Sequence, residues 1–209
     1  MKNSLFPNLQ SYIEGLNIST ISEERKGILQ GLIEYIISTK KAEKNINLNF
    51  ICTHNSRRSH LGQIWAQTMA SFFEMENVYC YSGGTEATAL YPQVTKTLKS
   101  VGFTLEKLCT DSNPVYAIKS GNNLQPNICF SKKYDHYFNP SSDFAAALTC
   151  SQADQDCPII FGASARIPLD YLDPKEFDNT DLIAEKYLER SEQIATEMYF
   201  VFSEVKNNE

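Results

Sequence analysis

FICTHNSRRSHLG, running from Phe50 to Gly62, decides the fold. An apolar run from Asn47 ends in Cys52, and polar, small and basic residues follow. From His60 onward the pattern turns helical, with Leu61, Ile64, Trp65, Thr68 and Phe72 on one face. A strand, a polar loop and a helix in that order place the loop at the carboxyl end of a strand, where open α/β sheets bind ligands. Loops that wrap into a helix N-terminus aim N–H groups inward and cradle anions. The same field favours a thiolate over a thiol.

Outward from this loop the chain alternates strands and helices. Asn77–Ser82 reads as a second strand before a Gly83-Gly84 turn, and Val94, Leu98 and Val101 mark a second helix. Asp143–Cys150 (DFAAALTC) is a third strand, and Ile159-Ile160-Phe161 either opens a fourth or leads into the loop before Asp173. Asp181–Val205 is a long amphipathic helix with Ile183, Tyr187, Ile194, Met198, Val201 and Phe202 inward. The expected fold is α/β: a small parallel sheet of about four strands flanked by helices. Residues 1–45 form a helical N-terminal extension, with a capping box at Thr20–Glu23 and a stripe of Ile28, Leu29, Leu32, Ile33, Ile36 and Ile37. Residues 46–209 form the main domain. Within it, residues 109–142 read as an insertion carrying a β-hairpin that turns at Gly121-Asn122-Asn123.

Composition sets outer limits. The 209 residues are 42% hydrophobic and 21% charged, ordinary for one globular domain. A net charge of -6 argues against a general nucleic-acid binder. No apolar run reaches the ~18 residues a membrane span needs. The first residues lack a signal-peptide core, so the expected location is cytoplasmic. Six cysteines in a reducing compartment are read as thiols rather than staples. Cys80, Cys109 and Cys129 are expected to be core or incidental residues. No Cys/His cluster has zinc spacing, so no metal is expected on that ground.

Cys52, Arg58 and Ser59 form a Cys-x5-Arg-Ser pattern. A loop of this length can surround a tetrahedral oxyanion with the sulfur at its centre. Thr53, His54, Asn55, Ser56 and Arg57 would line it. Arg58 can grip two oxygens as a fork, which lysine cannot. Ser59 can donate to the thiolate, and Asn55 can hold the loop through its amide. His54 and Arg57 either add positive potential or face solvent.

The loop and its flanks resemble the low-molecular-weight protein tyrosine phosphatases and, more closely, the thioredoxin-coupled arsenate reductases of the same fold. YSGGTEATALYPQVTKTLKSVGF, DFAAALTC and LDYLDPKEF extend the likeness over most of residues 47–205. The N-terminal helices and the hairpin insertion fall outside it. The resemblance implies Cys52 as nucleophile and an Asp-Pro acid, Asp173 before Pro174, with Asp170 the second choice. Tyr171 would be an aromatic wall. It also implies a relay in which Cys150 attacks Cys52, Cys157 resolves that disulfide, and thioredoxin is the reductant. Cys150 and Cys157 are seven positions apart, ~10.5 Å of helical rise. Their bridge would need the segment to unwind, since disulfides require Cα atoms within ~7 Å. A potassium ion at Asn55, Gln63 and Ser82 is a weak expectation, because Gln63 stands where the family has a carboxylate. Three functions stay open: thioredoxin-linked arsenate reduction, phosphomonoester hydrolysis through a phosphocysteine, and non-catalytic oxyanion or phosphoprotein binding.

Overall fold

The computed structural model describes residues 4–151 and 159–208. The apolar run before the loop forms β1 (Ile46–Cys52), with only Asn47 less than buried. It lies inside a parallel sheet with β2 (Val78–Gly84), which pairs along one side in register Phe50 with Ser82 and Cys52 with Gly84. After β2 come three short strands, β3 (Thr104–Lys107), β4 (Tyr116–Lys119) and β5 (Asn127–Cys129), in a sheet of their own. β6 (Phe144–Leu148) then pairs along the other side of β1, and β7 (Ala163–Pro168) closes the order β2-β1-β6-β7. β6 is apolar throughout, as a strand covered on both faces requires, whereas β1 buries one polar residue, Asn49, whose amide donates to the Tyr134 carbonyl at 3.2 Å.

Two strand boundaries differ from the sequence expectation. The fourth strand does not open at Ile159–Phe161: Ile159 and Phe161 are 68% and 82% exposed, and β7 starts at Ala163. As an edge strand, β7 exposes alternate residues and has no apolar run to betray it. Gly83-Gly84 is not a turn but the end of β2, still in register with Ile51 and Cys52.

The larger core lies on the sheet face that carries Leu48, Phe50, Ala145, Ala147 and Ile167. Helices α1 (Pro7–Glu14), α2 (Glu23–Lys41), α3 (Arg58–Phe72), α4 (Pro92–Ser100) and α5 (Ile183–Asn207) contribute to it. Trp65 of α3 is fully buried, and its indole donates to Ser191 Oγ on α5 at 2.9 Å. Each large apolar side chain so buried contributes about 1.5–3 kcal/mol. A Cβ at Gly62 would sit 2.4 Å from the Phe50 ring, so only glycine lets α3 lie this close to β1. The expected capping box is not the one used: Thr20 lies in a short 3-10 turn, and Ser22 caps α2 by accepting the Arg25 amide at 3.2 Å. Ile28 points outward, at 39% exposure. Leu29, Leu32, Ile33 and Ile36 face in, in the same core as the main sheet.

The insertion contains the expected hairpin, β4 antiparallel to β5 with Tyr116 opposite Cys129. β3, just ahead of the insertion, also pairs with β4, which the short and largely exposed TLEK stretch did not announce. The segment after β5 folds back to the sheet: Gly84 N–H donates to the Lys132 carbonyl and Tyr134 N–H to the Gly84 carbonyl, each at 2.9 Å. The chain passes from β1 to β2 on one side and reaches β6 on the other. The crevice therefore opens beyond the carboxyl ends of β1 and β6, where Cys52 and Cys150 emerge.

Candidate active site

The loop after β1 is turned inside out by bonds on its outer side. The carbonyl of Cys52 accepts the Thr85 amide, that of Thr53 the Glu86 amide, and that of Ser56 the Tyr91 amide, at 2.8–3.1 Å. The His54 carbonyl accepts the hydroxyls of Ser131 and Thr88. With the oxygens held outward, no amide from His54 to Arg58 donates to another described residue. Asn55 has φ 44, the left-handed step that turns successive N–H groups into one concavity. α3 begins at Arg58, so its positive end faces the same space. Gly84 closes the back: a Cβ there would meet the Thr53 carbonyl at 2.6 Å and the Asn55 nitrogen at 2.7 Å.

The side chains inside the loop are ordered in series. Lys132 N–H donates to Asn55 Oδ1 at 2.9 Å, and Asn55 Nδ2 donates to Ser59 Oγ at 2.9 Å. Ser59 Oγ lies 3.1 Å from Cys52 Sγ. Because Ser59 already accepts from Asn55, its own proton is left to point at the sulfur, which suits a thiolate.

Arg58 and Arg57 diverge. Arg58 donates through Nη1 to the Tyr171 carbonyl at 2.8 Å and through Nη2 to Asp173 Oδ2 at 2.5 Å. Asp173 caps a short 3-10 turn, Pro174–Phe177, accepting the Lys175 amide on its other oxygen. Asp170 lies on an exposed left-handed turn, φ 26, before it. Arg57 is neither a surface residue nor directed at the concavity. Its guanidinium meets Asp178 and the Tyr187 hydroxyl, each at 2.5 Å, and lies 4.1 Å from the Tyr91 ring centroid. Tyr171 is not an aromatic wall: it is 5% exposed, and its hydroxyl donates to Glu197 at 2.7 Å.

No family model matches the chain. An arsenate reductase of Staphylococcus epidermidis is 29% identical over 111 residues, 53% of this chain and 65% of that protein. The chain thus matches less than two thirds of the length of its curated relatives. Among solved structures, the YwlE arginine phosphatase, in a mutant with a phosphorylated active-site serine, superposes with TM-score 0.54. The pair is 14% identical and covers 78% of this chain and 97% of that one. A low-molecular-weight protein tyrosine phosphatase from T. tengcongensis gives 0.51 at 11% identity, covering 76% and 99%. These likenesses show the fold of the low-molecular-weight protein tyrosine phosphatases.

Cys150 is 3% exposed, its Sγ 3.6 Å from Thr53 Oγ1. It shares a small apolar cluster with Cys52, Ile51, Leu148 and Ile160 on the sheet face away from the main core. Cys157 lies outside the described residues. His54 is half-exposed, with Nε2 3.6 Å from Glu86. Cys80 and Cys129 are buried, and burial pushes the Cys129 thiol up to about 12. Cys109 is half-buried and accepts the Val115 amide.

The residues named for potassium do not fit a cation. Asn55 Oδ1 is committed to Lys132 N–H, Gln63 Oε1 faces the Cys129 thiol, and Ser82 Oγ is 3.1 Å from His60 Nδ1. The Lys132 ammonium already sits in this layer, 1% exposed, 4.5 Å from the Phe130 centroid. Burial pulls its pKa down to about 8. His60 is fully buried, held down to about 3 by burial and then by Lys132. Lys132 and the outward bonds from Thr85, Glu86 and Ser131 escaped sequence reasoning. They carry no motif: Thr85 and Glu86 reach the loop from the end of β2, and Ser131 and Lys132 reach it because the insertion folds back onto β2.

Proposed function

We propose that the protein reduces arsenate to arsenite by a cysteine relay fed by thioredoxin. The carrying observation is a second thiol in the nucleophile's surroundings: Cys150 and Cys52 share one apolar cluster, and Cys150 Sγ lies 3.6 Å from the hydroxyl of Thr53, the residue after Cys52. A phosphatase needs one thiol at this loop; a reductase needs two.

The loop amides bind arsenate, and Arg58 exchanges its bond to Asp173 Oδ2 for one to an arsenate oxygen, which frees that carboxylate oxygen to carry a proton. Cys52 thiolate attacks arsenic, and one arsenate oxygen leaves as water with the proton held by Asp173. Cys150 thiolate then attacks Cys52 Sγ. The S–As bond breaks with its electron pair going to arsenic, so As(V) becomes As(III) while two thiols become one disulfide. Cys157 attacks Cys150 Sγ and frees Cys52. The Cys150–Cys157 disulfide is returned to thiols by two electrons from thioredoxin. Ser59, already accepting from Asn55, favours the leaving thiolate of Cys52 in that step.

The curated relatives named arsenate reductase support this choice. A second reading, phosphomonoester hydrolysis through a phosphocysteine, is favoured by the phosphatases among the solved structures and by the same Cys52, Arg58 and Asp173 geometry.

Arsenate turnover with thioredoxin, thioredoxin reductase and NADPH, run beside aryl phosphate hydrolysis, separates the two. The relay requires that Cys52→Ser, Cys150→Ser and Cys157→Ser all stop arsenate turnover. Multiple-turnover reduction retained in Cys150→Ser and Cys157→Ser would sink it. Phosphate hydrolysis without arsenate turnover would establish the second reading.

A further inference from the structure

Tyr171 ties the loop that carries Asp173 to both the candidate site and the core. The Tyr171 carbonyl accepts Arg58 Nη1 at 2.8 Å, and its amide donates to the Thr149 carbonyl at 3.2 Å. Its side chain runs the other way, into the core, where the hydroxyl donates to Glu197 Oε2 at 2.7 Å. Glu197 belongs to α5 and is 2% exposed. A carboxylate so deep needs a charge partner and full hydrogen bonding. Arg25 supplies both, donating through Nε to Oε1 at 2.9 Å and through Nη2 to Oε2 at 2.8 Å. Gln193 adds a bond to Oε1 at 3.0 Å. The Arg25 guanidinium also lies 4.8 Å from the Tyr171 ring centroid, so it touches both members of the pair it joins.

Arg25 stands in the first turn of α2, fixed there by the Ser22 cap. That helix is outside the region resembling the superfamily. A short path of charge-assisted bonds therefore leads from the N-terminal helices to the guanidinium at the candidate site. Two-pronged arginine–carboxylate bonds fix direction as well as distance. We infer that Arg25 is a positioning residue for the oxyanion site, acting through Glu197 and Tyr171 to set the acid loop against Arg58. This rests on reading residues 52–59 as an oxyanion cradle, not on which oxyanion is turned over.

Two measurements on the full chain test it: site-resolved hydrogen exchange and affinity for inorganic sulfate, in wild type, Arg25→Met, Tyr171→Phe and the double variant. Both single variants are expected to speed exchange at the amides of Leu169 to Tyr171 by about tenfold, leaving the β1 amides unchanged. Each is expected to weaken sulfate binding by about threefold or more, and the double variant to be no weaker than the worse single one, because both break one path. Uniformly faster exchange across the sheet, with sulfate affinity unchanged, would make Arg25 ordinary structural cement and overturn the inference. If Arg25→Met does not fold, Tyr171→Phe decides the matter by the same criteria. If the wild type fails to bind sulfate, the oxyanion reading falls, and local against uniform exchange still decides whether Arg25 positions the loop.

Discussion

Arg57 and Arg58 are neighbours in sequence and belong to opposite sides of one loop. On the inner side, Ser59 and Cys52 meet among amides that donate to no other described residue, and Arg58 holds the Tyr171 carbonyl and Asp173. On the outer side, Arg57 is closed into Asp178, Tyr187 and Tyr91, while His60 and Lys132 are buried behind. Arg58 is bonded to the loop that carries the candidate acid, through Asp173 and the Tyr171 carbonyl, whereas Arg57 is bonded to Asp178 and to Tyr187 of α5. Identical side chains therefore carry different work, set by which way a left-handed turn at Asn55 sends the next residues.

This division can be broken most sharply at Arg58. Arg58→Lys keeps a positive charge but loses the fork, and kcat/KM for either oxyanion substrate should fall by about 10³. Steady-state kinetics would show it, with unfolding free energy nearly unchanged. A loss below tenfold would mean that Arg58 is not the clamp.

Arg57→Met should do the reverse. It strands Asp178 in a largely buried site and should cost about 2–3 kcal/mol in urea unfolding, with sulfate affinity altered less than about threefold. An affinity loss comparable to that of Arg58→Lys would erase the distinction between the two sides.

His60 sharpens the comparison through pH. Its folded pKa, near 3, lies below the unfolded value of about 6.5, so the unfolded chain binds the extra proton. Stability from this group is complete above pH 6.5 and is lost as pH falls toward 3. Between pH 7.5 and pH 5 the loss should be about 2 kcal/mol. Chemical denaturation at the two pH values checks it, and His60→Gln should remove that part of the slope.

His54 tests the smallest effect. Half-exposed beside Glu86, His54→Ala should change stability by under about 0.5 kcal/mol and kcat/KM by less than about threefold. A larger kinetic loss would draw His54 into the inner set.

Much of the site could be read from one short segment, because its parts are local. Cys52, Asn55, Arg58 and Ser59 lie within eight residues, and a strand followed by an amphipathic helix makes their loop curl the same way wherever it occurs. Asp173 drew notice for a different reason: proline after aspartate marks a turn, which the 3-10 turn Pro174–Phe177 bears out, and its role as acid is what the resemblance implies. Tyr171 misled, since an aromatic beside an acid loop looks like a substrate wall until Glu197 is seen beneath it. β7 misled because an edge strand need not be apolar.

By itself, the sequence determined the strand–loop–helix unit, the parallel sheet around it and the thiol chemistry available there. These follow from periodicity and spacing, which act over a few residues. Only the tertiary structure decided that Arg57 turns away, that Lys132 backs the loop, and that Arg25 reaches the acid loop through Glu197. The bonds that decide these points join residues 77 to 172 positions apart. A buried charge takes whatever partner the packed core brings within reach, and no local pattern encodes that partner.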